Sequence, residues 1–164
     1  GMAFGTGTHE STKLCLERLE KYLRTGERML DVGTGSGILS IAGVKLGAEF
    51  ACAYDIDPVA VRVAKENAEK NGVSDRIECG VSDLLSGVNR EKAPYMLVTA
   101  NIVADILIRM APDIAAFMGR GARLIASGII ESRKQDVLAA REAGGLPCLE
   151  ENGEKDWCVL VFER

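Results

Sequence analysis

The fold of this chain is decided by the stretch Asp31-Val32-Gly33-Thr34-Gly35-Ser36-Gly37. The short run 28–32, which overlaps the start of this stretch, has apolar residues at Met29, Leu30 and Val32. Residues 38–46, which follow the stretch, are apolar on most faces. Glycine has no Cβ, so three glycines at alternate positions permit a tight turn and a close approach of the backbone to a ligand. The stretch therefore predicts a strand, a ligand-binding turn and a buried helix. In sheets built from such units, ligands bind beyond the carboxyl ends of the strands, where the strand order reverses.

Hydrophobic periodicity and turn signals divide the rest of the chain into alternating helices and strands. Helices are predicted over 11–23, from Pro58 to the Asn71-Gly72 stop, over 102–118 with Pro112 inside, and over 132–143. Strands are predicted over 50–54, 76–81, 95–100, 123–127, 146–150 and 157–162, with a hairpin turn at Asn152-Gly153. Because such alternation implies right-handed crossovers, we predict one α/β domain, 1–164, with a mainly parallel sheet and helices on both faces.

Composition limits the kind of protein. The chain has 164 residues, and its 20 Lys and Arg against 24 Asp and Glu give a formal charge of −4. No basic surplus supplies the phosphate contacts of nucleic-acid binding, so we predict no direct nucleic-acid partner. No apolar run approaches the ~18 residues of a membrane span and residues 1–10 lack signal-peptide features, so we expect a cytoplasmic protein without a membrane partner. The five cysteines include no Cys-x-x-Cys pair, so we expect neither a disulfide framework nor a metal.

The glycine spacing narrows the choice of ligand. A dinucleotide fingerprint, Gly-x-Gly-x-x-Gly, requires a glycine where this chain has Ile38, so a nicotinamide cofactor is disfavoured. Asp31 lies two residues before the first glycine, where a carboxylate suits a cationic amino group better than a pyrophosphate. We therefore predict that Asp31 faces the ligand and that Gly33, Gly35 and Gly37 form its backbone cradle.

Polar residues follow the next three strands. Asp55 comes 22 positions after Gly33, near the ~20 expected of an acidic residue that binds ribose hydroxyls. Asp57, before Pro58, is interpreted as a helix N-cap. Asp83 either accepts from an adenine amine or caps a helix, and the sequence does not separate the two. Asn101 offers an amide that can hold an amine without protonating it, and its alternative role is the cap of the 102–118 helix.

These motifs resemble a known superfamily. An acidic residue before Gly-x-Gly-x-Gly, with a second one ending the next strand, resembles the S-adenosylmethionine-dependent methyltransferases of the Rossmann-like class. A narrower resemblance covers nearly the whole chain, to the catalytic domain of bacterial ribosomal protein L11 methyltransferases. Its further motifs are Gly1-Met2-Ala3-Phe4-Gly5-Thr6-Gly7-Thr8-His9, Asp55-Ile56-Asp57-Pro58, Ala100-Asn101-Ile102-Val103-Ala104-Asp105 and Ser127-Gly128-Ile129-Ile130.

The resemblance implies a fold, a reaction and a set of contacts. The fold is a seven-stranded sheet of order 3-2-1-4-5-7-6 with the last strand antiparallel. The reaction methylates lysine side chains and an N-terminal amine of a ribosomal protein, with S-adenosylmethionine converted to S-adenosylhomocysteine and no metal. Thr12, Gly33, Asp55 and Asn101 match the family's cofactor contacts. Thr6, Ile56 and Asp83 complete the predicted set, and Asn101 is also the predicted catalytic residue, which orients the amine.

Departures from the family pattern keep other interpretations open. Glu10-Ser11 replaces Pro-Thr, Thr34 stands where cysteine is frequent, and Ile106 replaces a common proline. The family also carries an N-terminal domain that recognises the ribosomal protein, and we expect this chain to lack it, as an excised catalytic domain or a shortened relative.

The alternative functions are a small-molecule amine methyltransferase and a non-catalytic nucleotide-binding module. A base methyltransferase is disfavoured because Ile102-Val103-Ala104 follows Asn101 in place of Pro-Pro-aromatic. His9 is a candidate base for the proton of the amine, which otherwise leaves to water.

Overall fold

A computed structural model describes residues 9–164 of the chain. Its helices are α1 (His9–Tyr22), α2 (Ile38–Lys45), α3 (Pro58–Lys70), α4 (Ala104–Met110) and α5 (Lys134–Ala143). Its strands are β1 (Arg28–Val32), β2 (Phe50–Asp55), β3 (Ile77–Val81), β4 (Tyr95–Asn101), β5 (Met118–Ile130), β6 (Cys148–Glu154) and β7 (Trp157–Glu163). Short 3-10 turns cover Ser74–Arg76, Ile114–Phe117 and Glu131–Arg133.

The seven strands form one sheet in the order β3-β2-β1-β4-β5-β7-β6. The strands at the first five places in this order run parallel to one another, and β7 is antiparallel to both β5 and β6. The predicted fold class and strand order are confirmed. The strand order reverses between β1 and β4, so the carboxyl ends of these two strands flank the place where a ligand is expected.

Helices cover both faces of the sheet, because the parallel strands are apolar on both sides. Met29 and Ala51 face a core completed by α1, α2 and α3. Leu30 and Cys52 face the opposite core, completed by α4 and α5. In the described part of the chain, no helix has the length and apolar character that a membrane crossing requires.

The predicted helix over 102–118 is wrong in extent. The helix α4 ends at Met110, and Met118 already pairs with Tyr95 as the first residue of β5. Pro112 explains the early end, since proline has no N–H to donate and its ring clashes with the carbonyl four residues earlier. Gly119, predicted to stop the helix, lies inside β5, which is 13 residues long where only 123–127 were predicted.

The predicted hairpin turn at Asn152-Gly153 is also wrong. Both residues lie in β6, opposite Val159 and Cys158 of β7. The turn is formed by Lys155 and Asp156, and Lys155 adopts a positive φ of 57°. Asparagine and glycine favour turns, but here the pairing of the two strands decides the position of the turn.

Candidate active site

A cavity of about 340 Å³ opens beyond the carboxyl ends of β1 to β4. This volume is within the range of small-ligand sites, ~300–1,000 Å³. The residues that follow the four strands and one face of α4 form its wall. They are Val32, Gly33, Tyr54, Asp55, Ile56, Ser82, Asp83, Leu84, Asn101, Ile102, Val103, Ile106 and Arg109.

The glycine turn connects β1 to α2 beside this cavity. Gly33 has a φ of 74°, and a Cβ on it would overlap the Cγ2 of Ile102. Its N–H donates to the carbonyl of Tyr54 at 2.8 Å. Gly35 and Gly37 are outside the cavity wall: Gly37, with a φ of 86°, is the N-cap of α2. Of the three predicted cradle glycines, only Gly33 is at the cavity.

Asp55 is the most clearly oriented carboxylate of the site. Its Oδ2 accepts from the backbone N–H of Gly35 at 2.9 Å, and its Oδ1 accepts from the N–H of Asp57 at 3.0 Å. Gly35 therefore contributes to the site by holding the Asp55 carboxylate with its backbone N–H. Each carboxylate oxygen can accept a second hydrogen bond, so both remain available to hydroxyl donors. Asp57 itself accepts from the Val59 N–H at 2.9 Å, which confirms its N-cap role.

Apolar side chains flank Asp55 in the cavity wall. Ile56 is 65% exposed, and Leu84 lines the same cavity with a positive φ of 54°. Together these two side chains give the cavity wall an apolar surface next to the Asp55 carboxylate. These residues suit a flat, largely apolar ring beside a group that carries hydroxyls.

Asp83 is also in the cavity wall, and its interpretation as a helix cap is wrong. The segment after it, 84–87, is a turn and not a helix. The turn is held by Ser82, whose Oγ accepts from the Gly87 N–H at 2.9 Å and donates to the Leu84 carbonyl at 2.8 Å. The Asp83 carboxylate is thus placed at the cavity by a turn that it does not cap.

Asp31 was predicted to face the ligand, and in the structure it faces three hydroxyls inside the protein. It is fully buried and outside the cavity wall. Its carboxylate accepts from the hydroxyls of Thr34 at 2.7 Å, Ser40 at 2.9 Å and Thr99 at 2.8 Å. Burial raises the pKa of the Asp31 carboxyl to about 6, although the three hydroxyls lower it. Through these three hydrogen bonds Asp31 connects the glycine turn to β4 and α2.

Asn101 ends β4 at the rim of the cavity. Its side-chain Nδ2 donates to the Oγ1 of Thr12 in α1 at 3.4 Å. Its Oδ1 is buried and has no hydrogen-bond partner within residues 9–164. The alternative role of Asn101 as a helix cap is wrong, because α4 begins after Val103 and has no side-chain cap. The structure thus brings Thr12 to Asn101, although Thr12 is not part of the cavity wall. That these two residues contact the cofactor stays a prediction.

Two further residues from the sequence predictions are Thr6 and His9. Thr6 lies outside the described residues. His9 is the exposed first residue of α1 and lines a separate groove with Thr12. Within residues 9–164, no group of three or more His, Cys, Asp or Glu side chains is placed to hold a metal ion.

The contribution of α4 and its N-cap residue to the cavity wall was not predicted from the sequence. Val103, Ile106 and Arg109 line the cavity, and Arg109 adds a positive charge to a wall that also contains two carboxylates. Their three-residue spacing places them on one face of a helix. The predicted helix over 102–118 already contained this spacing, but the sequence did not show which face of the helix meets the cavity.

Comparisons with known proteins agree on one family. The family model described as Ribosomal protein L11 methyltransferase (PrmA) matches residues 1–164. A ribosomal protein L11 methyltransferase of Caldicellulosiruptor bescii is 48% identical over 164 residues, which are 100% of this chain and 52% of that protein. The chain thus spans about half the length of the curated relatives that it matches.

Solved structures show the same fold. The ribosomal protein L11 methylase from Lactobacillus delbrueckii subsp. bulgaricus superposes with a TM-score of 0.90 at 31% identity, over 96% of this chain and 80% of that one. An RNA methyltransferase from Salinibacter ruber, solved with S-adenosyl-L-homocysteine, gives a TM-score of 0.72 at 17% identity, over 90% of this chain and 88% of that one. The second likeness shows the shared fold alone.

Proposed function

Because the chain belongs to the ribosomal protein L11 methyltransferase family, we propose that it binds S-adenosylmethionine in the cavity beyond β1 to β4 and methylates amino groups of ribosomal protein L11. The observation that carries the proposal is the pair of polar groups at the two ends of this cavity. Asp55 presents a carboxylate that is held in place by two backbone N–H groups, and Asn101 carries a buried amide oxygen that has no hydrogen-bond partner among the described residues, 9–164.

The residues of the cavity fit the adenosine half of the cofactor. Asp55 has acceptor capacity for two ribose hydroxyls, and Gly33, which has no Cβ, leaves room for the Ile102 side chain in the cavity wall. Ile56 and Leu84 supply apolar surface for the adenine ring, and Asp83 supplies an acceptor for its amine. When bound, the cofactor supplies an electrophilic methyl group on a sulfonium. No metal is needed for such a transfer.

Asn101 has the chemistry to hold the acceptor amine. The nucleophile must be a neutral amine, and an amide oxygen accepts its N–H without giving it a proton. The Thr12 contact occupies the amide nitrogen of Asn101, which fixes the orientation of the oxygen. Alignment of two reactants in this way can lower a barrier by ~7–11 kcal/mol, so the protein needs no covalent intermediate.

The amine must lose its proton before the transfer. A lysine of pKa ~10.4 requires about 4.6 kcal/mol for deprotonation at pH 7, and an α-amine of pKa ~7.8 requires about 1 kcal/mol. We therefore expect the N-terminal amine of the substrate to react faster than its lysines. A ribosomal-protein substrate places the reaction in the cytoplasm.

The test is methyl transfer to purified ribosomal protein L11 with labelled S-adenosylmethionine, followed by mass spectrometry of the product peptides. We expect labelled amines on L11, and we expect Asn101→Ala to lower kcat about 100-fold because the amine loses its alignment. Asn71→Ala is the matched control, since Asn71 is an exposed helix-end asparagine that should leave the rate unchanged.

Two results would contradict the proposal. One is the absence of label on L11 while a parallel reaction with a set of small amines gives labelled product, which would favour a small-molecule methyltransferase. The other is the absence of transfer to any amine together with retained cofactor binding, which would favour a nucleotide-binding module. An unchanged rate in Asn101→Ala would remove the role of that amide alone.

A further inference from the structure

The strand β5 carries a bulge next to the end of β4. Its register against β7 shifts between Ala126 and Ile129, and Gly128 in this bulge has a φ of 79°. A Cβ on Gly128 would lie 2.9 Å from the Oδ1 of Asn101 and 3.1 Å from both the N and the O of Ile102. Glycine at this position therefore gives the Asn101 side chain the room that it occupies.

Ser127, one residue earlier, joins β4 to α1. It pairs with Asn101 in the register of the sheet, and its carbonyl accepts from the Ile102 N–H at 3.1 Å. Its side chain is fully buried, and its Oγ donates to the carbonyl of Ser11 at 2.8 Å. The end of β4 and the first turn of α1 are thus both attached to one residue.

Thr12 directly follows the residue to which Ser127 donates. Its Oγ1 accepts from Asn101 at 3.4 Å, so the first turn of α1 sets how near the threonine comes to the amide. The ion pair of the next residue, Lys13 with Glu154, connects α1 to β6 and is well exposed. Exposed pairs of this kind contribute little to structure, whereas a buried hydrogen bond to a carbonyl fixes a position.

We infer that Ser127 is a positioning residue for the proposed reaction, which holds Thr12 at its distance from Asn101 through the Ser11 carbonyl. The inference rests on the proposed function, in which Asn101 lies at the cofactor cavity and Thr12 orients its amide. Neither Ser127 nor Thr12 lines the cavity wall. Ser127 is connected to the turn that carries Thr12 through the Ser11 carbonyl, and Thr12 is connected to the cavity through Asn101.

A double-mutant cycle of Ser127→Ala and Thr12→Ala tests this coupling. The readout is the Kd for S-adenosylhomocysteine by calorimetry, with each variant's folding checked by circular dichroism and urea unfolding. We expect Ser127→Ala to raise the Kd about fivefold, which corresponds to the net contribution of one hydrogen bond. In the Thr12→Ala background the same change should have no further effect on Kd, because Thr12 is the group that it positions.

Two more variants sharpen the result. Ser127→Cys keeps a weak donor at nearly the same volume, so its Kd should fall between those of the wild type and Ser127→Ala. Glu154→Gln removes the exposed ion pair beside Thr12 and should leave Kd within about twofold, since such pairs contribute little.

Each outcome bears on a separate claim. Equal Kd values for the wild type and Ser127→Ala, or additive losses in the cycle, would overturn the positioning role. An absence of binding by the wild-type chain would instead contradict the proposed function. If Ser127→Ala does not fold, the comparison of Ser127→Cys with its Thr12→Ala double variant gives the same coupling.

Discussion

At the scale of single residues, the buried carboxylate of Asp31 lowers the stability of the folded protein at neutral pH. Its carboxyl is buried, and its pKa is raised to about 6 from an ordinary value of ~3.9. Between these two pH values the native state keeps a proton that the unfolded state has lost. The free energy of unfolding therefore falls as the pH rises through this window, by about 3 kcal/mol in total.

The variant Asp31→Asn should remove this pH dependence. The asparagine keeps an acceptor oxygen, and the three surrounding hydroxyls can rotate to accept from its amide. We expect the variant to be more stable than the wild type at pH 7 by up to about 3 kcal/mol, and nearly equal to it at pH 4. The measurement is urea unfolding at a series of pH values, with the exposed Asp75→Asn as control.

A constant difference in stability between wild type and Asp31→Asn from pH 4 to pH 7 would show that burial does not raise the pKa of Asp31. A gain in stability accompanied by loss of cofactor binding would show that the charge is kept for function.

At the scale of elements, the end of α4 depends on a buried arginine in α5. Within α4 the Ala111 N–H donates to Ile108, so the carbonyl of Leu107 lacks its helical partner. Arg141, which is fully buried, donates to that carbonyl at 3.2 Å and lies 5.9 Å from the ring centre of Phe162. Two of its other nitrogens, Nε and Nη1, have no partner in the described part of the chain. Burial lowers the pKa of Arg141 to about 10.

Replacement of Arg141 should separate packing from charge. Arg141→Met removes an unpaired buried cation but leaves one carbonyl unbonded, so these effects offset and stability should change by less than about 2 kcal/mol. Arg141→Ala also leaves a cavity and should be less stable than Arg141→Met by about 2–5 kcal/mol. Urea unfolding of both variants measures the difference. A loss above about 3 kcal/mol in Arg141→Met would mean that the guanidinium, and not its packing, holds α4 to α5.

At the scale of the whole molecule, the alternation of apolar runs and turns was enough to predict the α/β class, and the family resemblance supplied the strand order. Residues that follow strands were also predictable, because parallel strands end at one edge of the sheet; Asp55, Asp83 and Asn101 all reach the cavity in this way. The direction of Asp31 was not predictable. The strand β1 is buried on both faces, so a period of two does not distinguish the ligand side from the core.

Long-range pairing accounts for the other differences. The positions of Arg109 at the cavity and of Ser127 against α1 depend on how helices sit on the sheet, which local patterns do not contain. The same holds for the β6 to β7 turn, which was predicted from residue preferences and is decided by strand register. Local chemistry therefore located the site, and tertiary contacts decided which side chains complete it.

In the proposed function the cavity beyond β1 to β4 binds the methyl-donor cofactor through Asp55, and calorimetric titration with S-adenosylhomocysteine measures this binding. The same titration with NAD is the ligand control, and Asp75→Ala is the matched control for Asp55→Ala. We predict specific binding of S-adenosylhomocysteine, no binding of NAD, and a loss of about 10- to 100-fold in Asp55→Ala, since hydrogen bonds to a charged group contribute ~1.5–3 kcal/mol. Binding of NAD, or an affinity for S-adenosylhomocysteine unchanged in Asp55→Ala, would contradict the assignment of this cavity.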